Sequence, residues 1–155
     1  MGRSLCRFLP GLLLVAAGTV AADGPSELVF ERKAGHLRYY RGSVLLEGVA
    51  ERYTDKETLG LQGDNLCFVV AGPSQRYIPR EGDTRVPWFC FSDRKAALLA
   101  LKLPDEPAKG TCGYRVPATV VVGDYAVNRQ ESAVFDTATL IAVRSRGAVS
   151  AIACK

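Results

Sequence analysis

The chain has 155 residues, a formal net charge of +4 and 48% hydrophobic residues. That length fits one domain with a real core. The charge is too small for a nucleic-acid-binding field.

The N-terminus has the three parts of a secretory signal. Arg3 and Arg7 are its charged start, Gly11 to Ala22 is uncharged and apolar, and Val20-Ala21-Ala22 supplies small residues for cleavage. The apolar run is shorter than the roughly 20 residues a spanning helix needs. The expectation is a signal peptide over 1–22, cut after Ala22, and one β-rich domain over 23–155 exported to the periplasm or beyond. Loss of Arg3 and Arg7 lowers the formal charge from +4 to about +2. No later segment is long and apolar enough to span a membrane.

Cys67, Cys90, Cys112 and Cys154 follow the signal. An even count in an exported chain points to disulfides. Zinc would need close ligand pairs, whereas here every spacing exceeds twenty residues and His36 is the only histidine. No metal and no cofactor is expected.

Leu28-Val29-Phe30 reads as a short strand, followed by the basic and aromatic run Arg38-Tyr39-Tyr40-Arg41. If that run is extended, one tyrosine faces in and the other out. Ser43 to Tyr53 reads as a strand with a bulge or bend at Gly48. Thr54 to Glu57 reads as a turn or linker, with glycines after it. Leu66 to Ala71 is a strand, Gly72 to Arg85 a long polar loop, and Trp88 to Ser92 the next strand. Ser92 or Asp93 caps a helix over Arg94–Lys102, with Ala96, Leu99 and Leu103 on its apolar side and Pro104 as its stop. Tyr114 to Val122 alternates as a strand that Gly123-Asp124 turns. Ala133 to Arg144 is the last long strand, and Gly147 to Cys154 is a tail that can pair at an edge.

Alternation favours two of the possible disulfide pairings. With Phe68, Val70, Phe89 and Phe91 inward, Cys67 and Cys90 share the other face of an antiparallel pair. Cys112 is then left for Cys154.

The order strand, strand, strand, helix, strand, strand over about 43–144 resembles an OB-fold. The resemblance implies a mainly β, five-stranded barrel with one helix between strands three and four; lipocalin-like and sandwich arrangements remain alternatives. Glu81-Gly82-Asp83-Thr84 is similar over four residues to the D-G-D-T segment of staphylococcal-nuclease-like enzymes. Here it leads into Val86-Pro87-Trp88, not that family's R-L-x-G-I-D-x-P-E stretch, so no nuclease is expected. Nor is there a G-x-S-x-G elbow or a phosphate loop.

The strongest binding feature is the loop from Pro73 to Trp88, carrying Arg76, Tyr77, Arg80, Arg85 and Trp88. Arginine, tyrosine and tryptophan dominate interface energetics. The expectation is a non-enzymatic exported module that binds a protein or a cell-envelope polymer, inhibitor or immunity-type proteins being one version. The alternatives are an oligosaccharide or single-stranded nucleic acid binder, and a small hydrolase with paired carboxylates.

Overall fold

The computed structural model describes residues 27–106, 108–130 and 135–154. The expected signal peptide over 1–22 lies outside them.

The element order is β1 (Val29–Ala34), β2 (Leu37–Tyr53), α1 (Lys56–Gln62), β3 (Leu66–Val70), a 3-10 segment (Gly72–Tyr77), β4 (Trp88–Phe91), α2 (Arg94–Leu101), β5 (Thr111–Asn128), β6 (Asp136–Arg146) and β7 (Ser150–Ala153). The fold is mainly β. The strands follow the order β1-β2-β3-β4-β6-β5-β7, and β2 also pairs with β5. Five of them therefore form a closed ring, β2–β3–β4–β6–β5 and back to β2. All ring pairings are antiparallel except β4 with β6, which is parallel. β1 and β7 are added outside the ring, on β2 and β5.

Alternating apolar residues fill the ring. Leu46, Ala50, Phe68, Phe89, Val116, Val120, Val122 and Tyr125 are fully buried. Phe89 is the hub, with ring centroids 5.5 Å from Phe68, 5.4 Å from Phe91 and 5.5 Å from Tyr125. Such aromatic pairs contribute about 0.5–1.5 kcal/mol each beyond area burial. Cys67 stands opposite Cys90 in the β3–β4 register, and the two are bonded. Cys112, at the start of β5, is bonded to Cys154, just past β7. Both pairings are those expected from alternation.

Several expectations are corrected. Gly123-Asp124 does not turn the strand: β5 runs on to Asn128. Arg41 and Gly42 lie between the partner pairs Tyr40–Tyr125 and Ser43–Gly123, opposite the single residue Asp124. Gly42 and Asp124 both have positive φ, 97° and 46°, so this is a bulge inside a continuous ladder. The same bulge lets β2 begin at Leu37, well before Ser43. Gly48 is no bulge, being in register with both Val70 and Ala118. A Cβ there would collide with the Val69 carbonyl and the Phe68 ring, so glycine is required by close approach.

Thr54–Glu57 is not a linker but leads into α1, whose N-cap Asp55 accepts from the Thr58 N–H at 2.9 Å. The described residues thus hold two α-helices, not one. α2 is capped by Asp93, which accepts from Ala96 N–H. Its buried side is Ala97, Leu98 and Leu101, while Leu99 is 81% exposed; of the expected Ala96, Leu99 and Leu103, only Leu103, just past the helix, is buried, so the helix is rotated from the expected face. The last long strand begins at Asp136, and Ala133 and Val134 lie outside the described residues.

Candidate functional site

The β3–β4 connection, residues 71–87, crosses the end of the ring where β2 and β6 begin and β5 finishes. It divides into two parts with different roles.

The first part is the 3-10 segment. Pro73 near its start fixes φ for a tight helix. The buried Ser74 hydroxyl accepts from the Glu47 N–H at 3.0 Å, tying the segment to β2. Gln75 Nε2 donates to the Val70 carbonyl at 3.1 Å. Arg76 and Tyr77 at its end face outward. The Arg76 guanidinium sits 4.8 Å over the Tyr77 ring and donates to its hydroxyl at 2.7 Å. Tyr77 is 46% exposed. Beside the pair lies a groove of about 390 Å³, lined by Glu27, Leu28, Val44, Arg76, Tyr77 and Pro79. Its floor is apolar, since Leu28 and Val44 are buried core residues.

The second part, Ile78 to Arg85, is fastened inward. Ile78 is buried. Arg80 Nη2 lies 3.2 Å from Asp136 Oδ2 and its Nη1 lies 3.4 Å from Asp83 Oδ2. Arg85 grips the same Asp83 at 2.6 Å and donates to the Asn128 carbonyl, also at 2.6 Å. Glu81 accepts from the Tyr40 hydroxyl at 3.0 Å and pairs with Arg38. Arg129 donates to the Arg80 carbonyl at 2.9 Å. Burial raises the Asp136 carboxyl, against the Asn128 N–H, Arg80, Tyr125 and Arg85, which favour its charged form. The hydrogen bond from Arg85 holds the Asp83 carboxyl well below the usual range, outweighing its burial.

The structure therefore does not bring the five expected site residues into one surface. Arg76 and Tyr77 are presented together. Arg80 and Arg85 belong to the ion cluster that pins the loop, and Trp88 is half-buried at the start of β4, edge-on to Phe135 at 5.9 Å. Leu28 and Val44, the groove floor, were missed because apolar residues in strands read as core. Of the other basic-aromatic cluster, Tyr40 is buried and Tyr39 half-buried, as alternation requires. Glu81 and Asp83, the carboxylates of the Glu81-Gly82-Asp83-Thr84 segment, are both engaged by arginines.

A second ion cluster lies at the other end of the ring. The buried Arg52 meets Asp64 at 3.3 Å and Asp105 at 3.4 Å, and Arg94 meets the same two carboxylates at 3.1 Å each. It ties β2 to the α1–β3 connection, to the start of α2 and to the segment after α2.

No family model, no curated protein and no solved structure matches this chain.

Proposed function

We propose that this chain is an exported, non-enzymatic binding module, and that Arg76 and Tyr77 present its contact surface to a protein or a cell-envelope polymer. The observation that carries this reading is the Arg76–Tyr77 stack beside an apolar groove, on a backbone fastened at Ser74, Gln75 and Arg80. A half-exposed tyrosine and an arginine are the side chains that anchor interfaces. The fastening cuts the ordering cost of binding. An inhibitor or immunity-type protein is the version that suits so rigid a loop.

Export is supported by the N-terminal pattern and by the two disulfides. Among the described residues no helix is long and apolar enough to cross a membrane. We read the five-stranded ring as an OB-like barrel. The strand order of the ring, and the chain order in which α2 follows the ring's third strand, support that reading.

The test is recovery of partners from an envelope extract on the immobilised protein and on a variant carrying Arg76→Ala and Tyr77→Ala. The reading expects partners on the native surface that the variant fails to retain. Equal recovery by the two would reject it.

A further inference from the structure

The β1–β2 hairpin carries a surface that the Arg76–Tyr77 groove does not use. Residues 29–41 hold four cationic side chains, Arg32, Lys33, Arg38 and Arg41, against the single carboxylate of Glu31. The register sets Val29 opposite Arg41, Arg32 opposite Tyr39, and Ala34 opposite Leu37. Alternation puts these six on one face of the hairpin. There the Arg32 guanidinium lies 3.8 Å over the Tyr39 ring. Every residue of β1 is exposed, Val29 at 49%, and Leu37 of β2 is half-buried; Phe30, also exposed, lies on the opposite face beside Tyr40. Arg38 is engaged by Glu81, but Lys33 and Arg41 make no ion pair among the described residues.

Three surfaces could accept such a hairpin. An added strand would need a regular open edge on β1. The register shift between Phe30 and Arg32 and the flanking charges spoil that edge. A polyanion in solution would reward the charges alone. A bilayer interface with anionic headgroups rewards both features present, cations and exposed apolar side chains set among them.

We propose that the outer face of the β1–β2 hairpin docks the chain peripherally on a membrane surface bearing anionic lipid headgroups. Arg32 and Arg41 meet the headgroups, and Val29 and Leu37 meet the apolar boundary beneath them. This surface is independent of the groove, so either assignment can fail alone.

Co-sedimentation with vesicles tests it, using equal parts of phosphatidylglycerol and phosphatidylcholine, and phosphatidylcholine alone. The chain should pellet with the mixed vesicles, much less with the neutral ones, and be released by high salt. Replacing Arg32 and Arg41 together by serine should weaken the partition about twenty-five-fold, roughly fivefold for each cation. Replacing Lys95 and Lys102 on and after α2 by serine should leave it within about twofold, since each stands off the face. Four results would overturn the proposal: no pelleting, equal partition to both vesicles, salt-insensitive binding, or equal losses in the two double variants. Polyphosphate binding without vesicle binding would overturn it in favour of a soluble polyanion.

Discussion

Tyr125 donates its hydroxyl to Asp136 Oδ2 at 2.9 Å, and both residues are buried at the end of the ring. Asp136 Oδ1 accepts from the Asn128 N–H at 2.9 Å, so the carboxylate joins β5 to the start of β6. Arg80 brings the β3–β4 connection onto the same group. Replacing Tyr125 by phenylalanine should cost about 1–3 kcal/mol, because a buried carboxylate oxygen loses a donor. Replacing Arg80 by alanine should cost about 3 kcal/mol, because Asp136 is left without its closest cation. Urea unfolding of the oxidised protein checks both, and neutral effects would show that the cluster does not hold the loop.

Asp83 sets the acid limit of this end of the ring. Its folded carboxyl is held well below the ordinary value. Its contribution is therefore complete above the unfolded value of about 3.9 and fades as pH falls through the folded one. Asp136 has the opposite sign, because its carboxyl is raised by burial. Its contribution is present at low pH and fades as pH rises through the raised value. Asp83→Asn should cost about 1 kcal/mol near neutrality, with Arg85 half in solvent. It should also flatten the loss of stability below about pH 4. Unfolding free energies of the two proteins across the acid range make the comparison, and parallel curves would remove Asp83 from the account.

The two cystines close loops of sequence separation 23 and 42. Chain entropy assigns them roughly 3.4 and 4 kcal/mol. Serine replacement of Cys112 and Cys154 should therefore lower stability at least as much as replacement of Cys67 and Cys90. It should also free β7, which among the described residues pairs with the start of β5 alone. Hydrogen exchange at Ala151 and Ile152 would report that release. Unchanged protection there would mean that the ladder holds β7 without the bond.

Gly48 faces β3 with no room for a methyl group. Alanine at this position should cost about 3 kcal/mol or more by forcing β2 and β3 apart. A thermal midpoint equal to that of the native chain would place Gly48 elsewhere than between β3 and β5.

The strands around the cystines were legible because alternation and bonding agree: Phe68 and Phe89 face the ring interior, and Cys67 and Cys90, also buried, lie on the opposite face of their strands. Gly42 and Asp124 misled because each alone is a turn signal. Only the ladder reveals that they face each other as one bulge, which long β2 and β5 absorb. The rotated face of α2 has a similar cause. Ala96 and Ala97 are equally apolar, and only the ring decides which is buried. In the loop, residue type pointed equally to Arg76, Arg80 and Arg85. Arg80 is set apart by Asp136 on β6, and Arg85 by Asp83 within the loop and the Asn128 carbonyl at the end of β5; no spacing in the chain announces the contacts to Asp136 and Asn128.

The loop's division of labour has a direct test: partner recovery from envelope extract and thermal midpoint, measured side by side for two variants. Arg76→Ala with Tyr77→Ala should lose the partners while melting within a few degrees of the native chain, because the pair is exposed and, among the described residues, its side chains hydrogen-bond to each other alone. Arg80→Ala should melt markedly lower. Full partner recovery by the first variant, at an unchanged midpoint, would contradict the account.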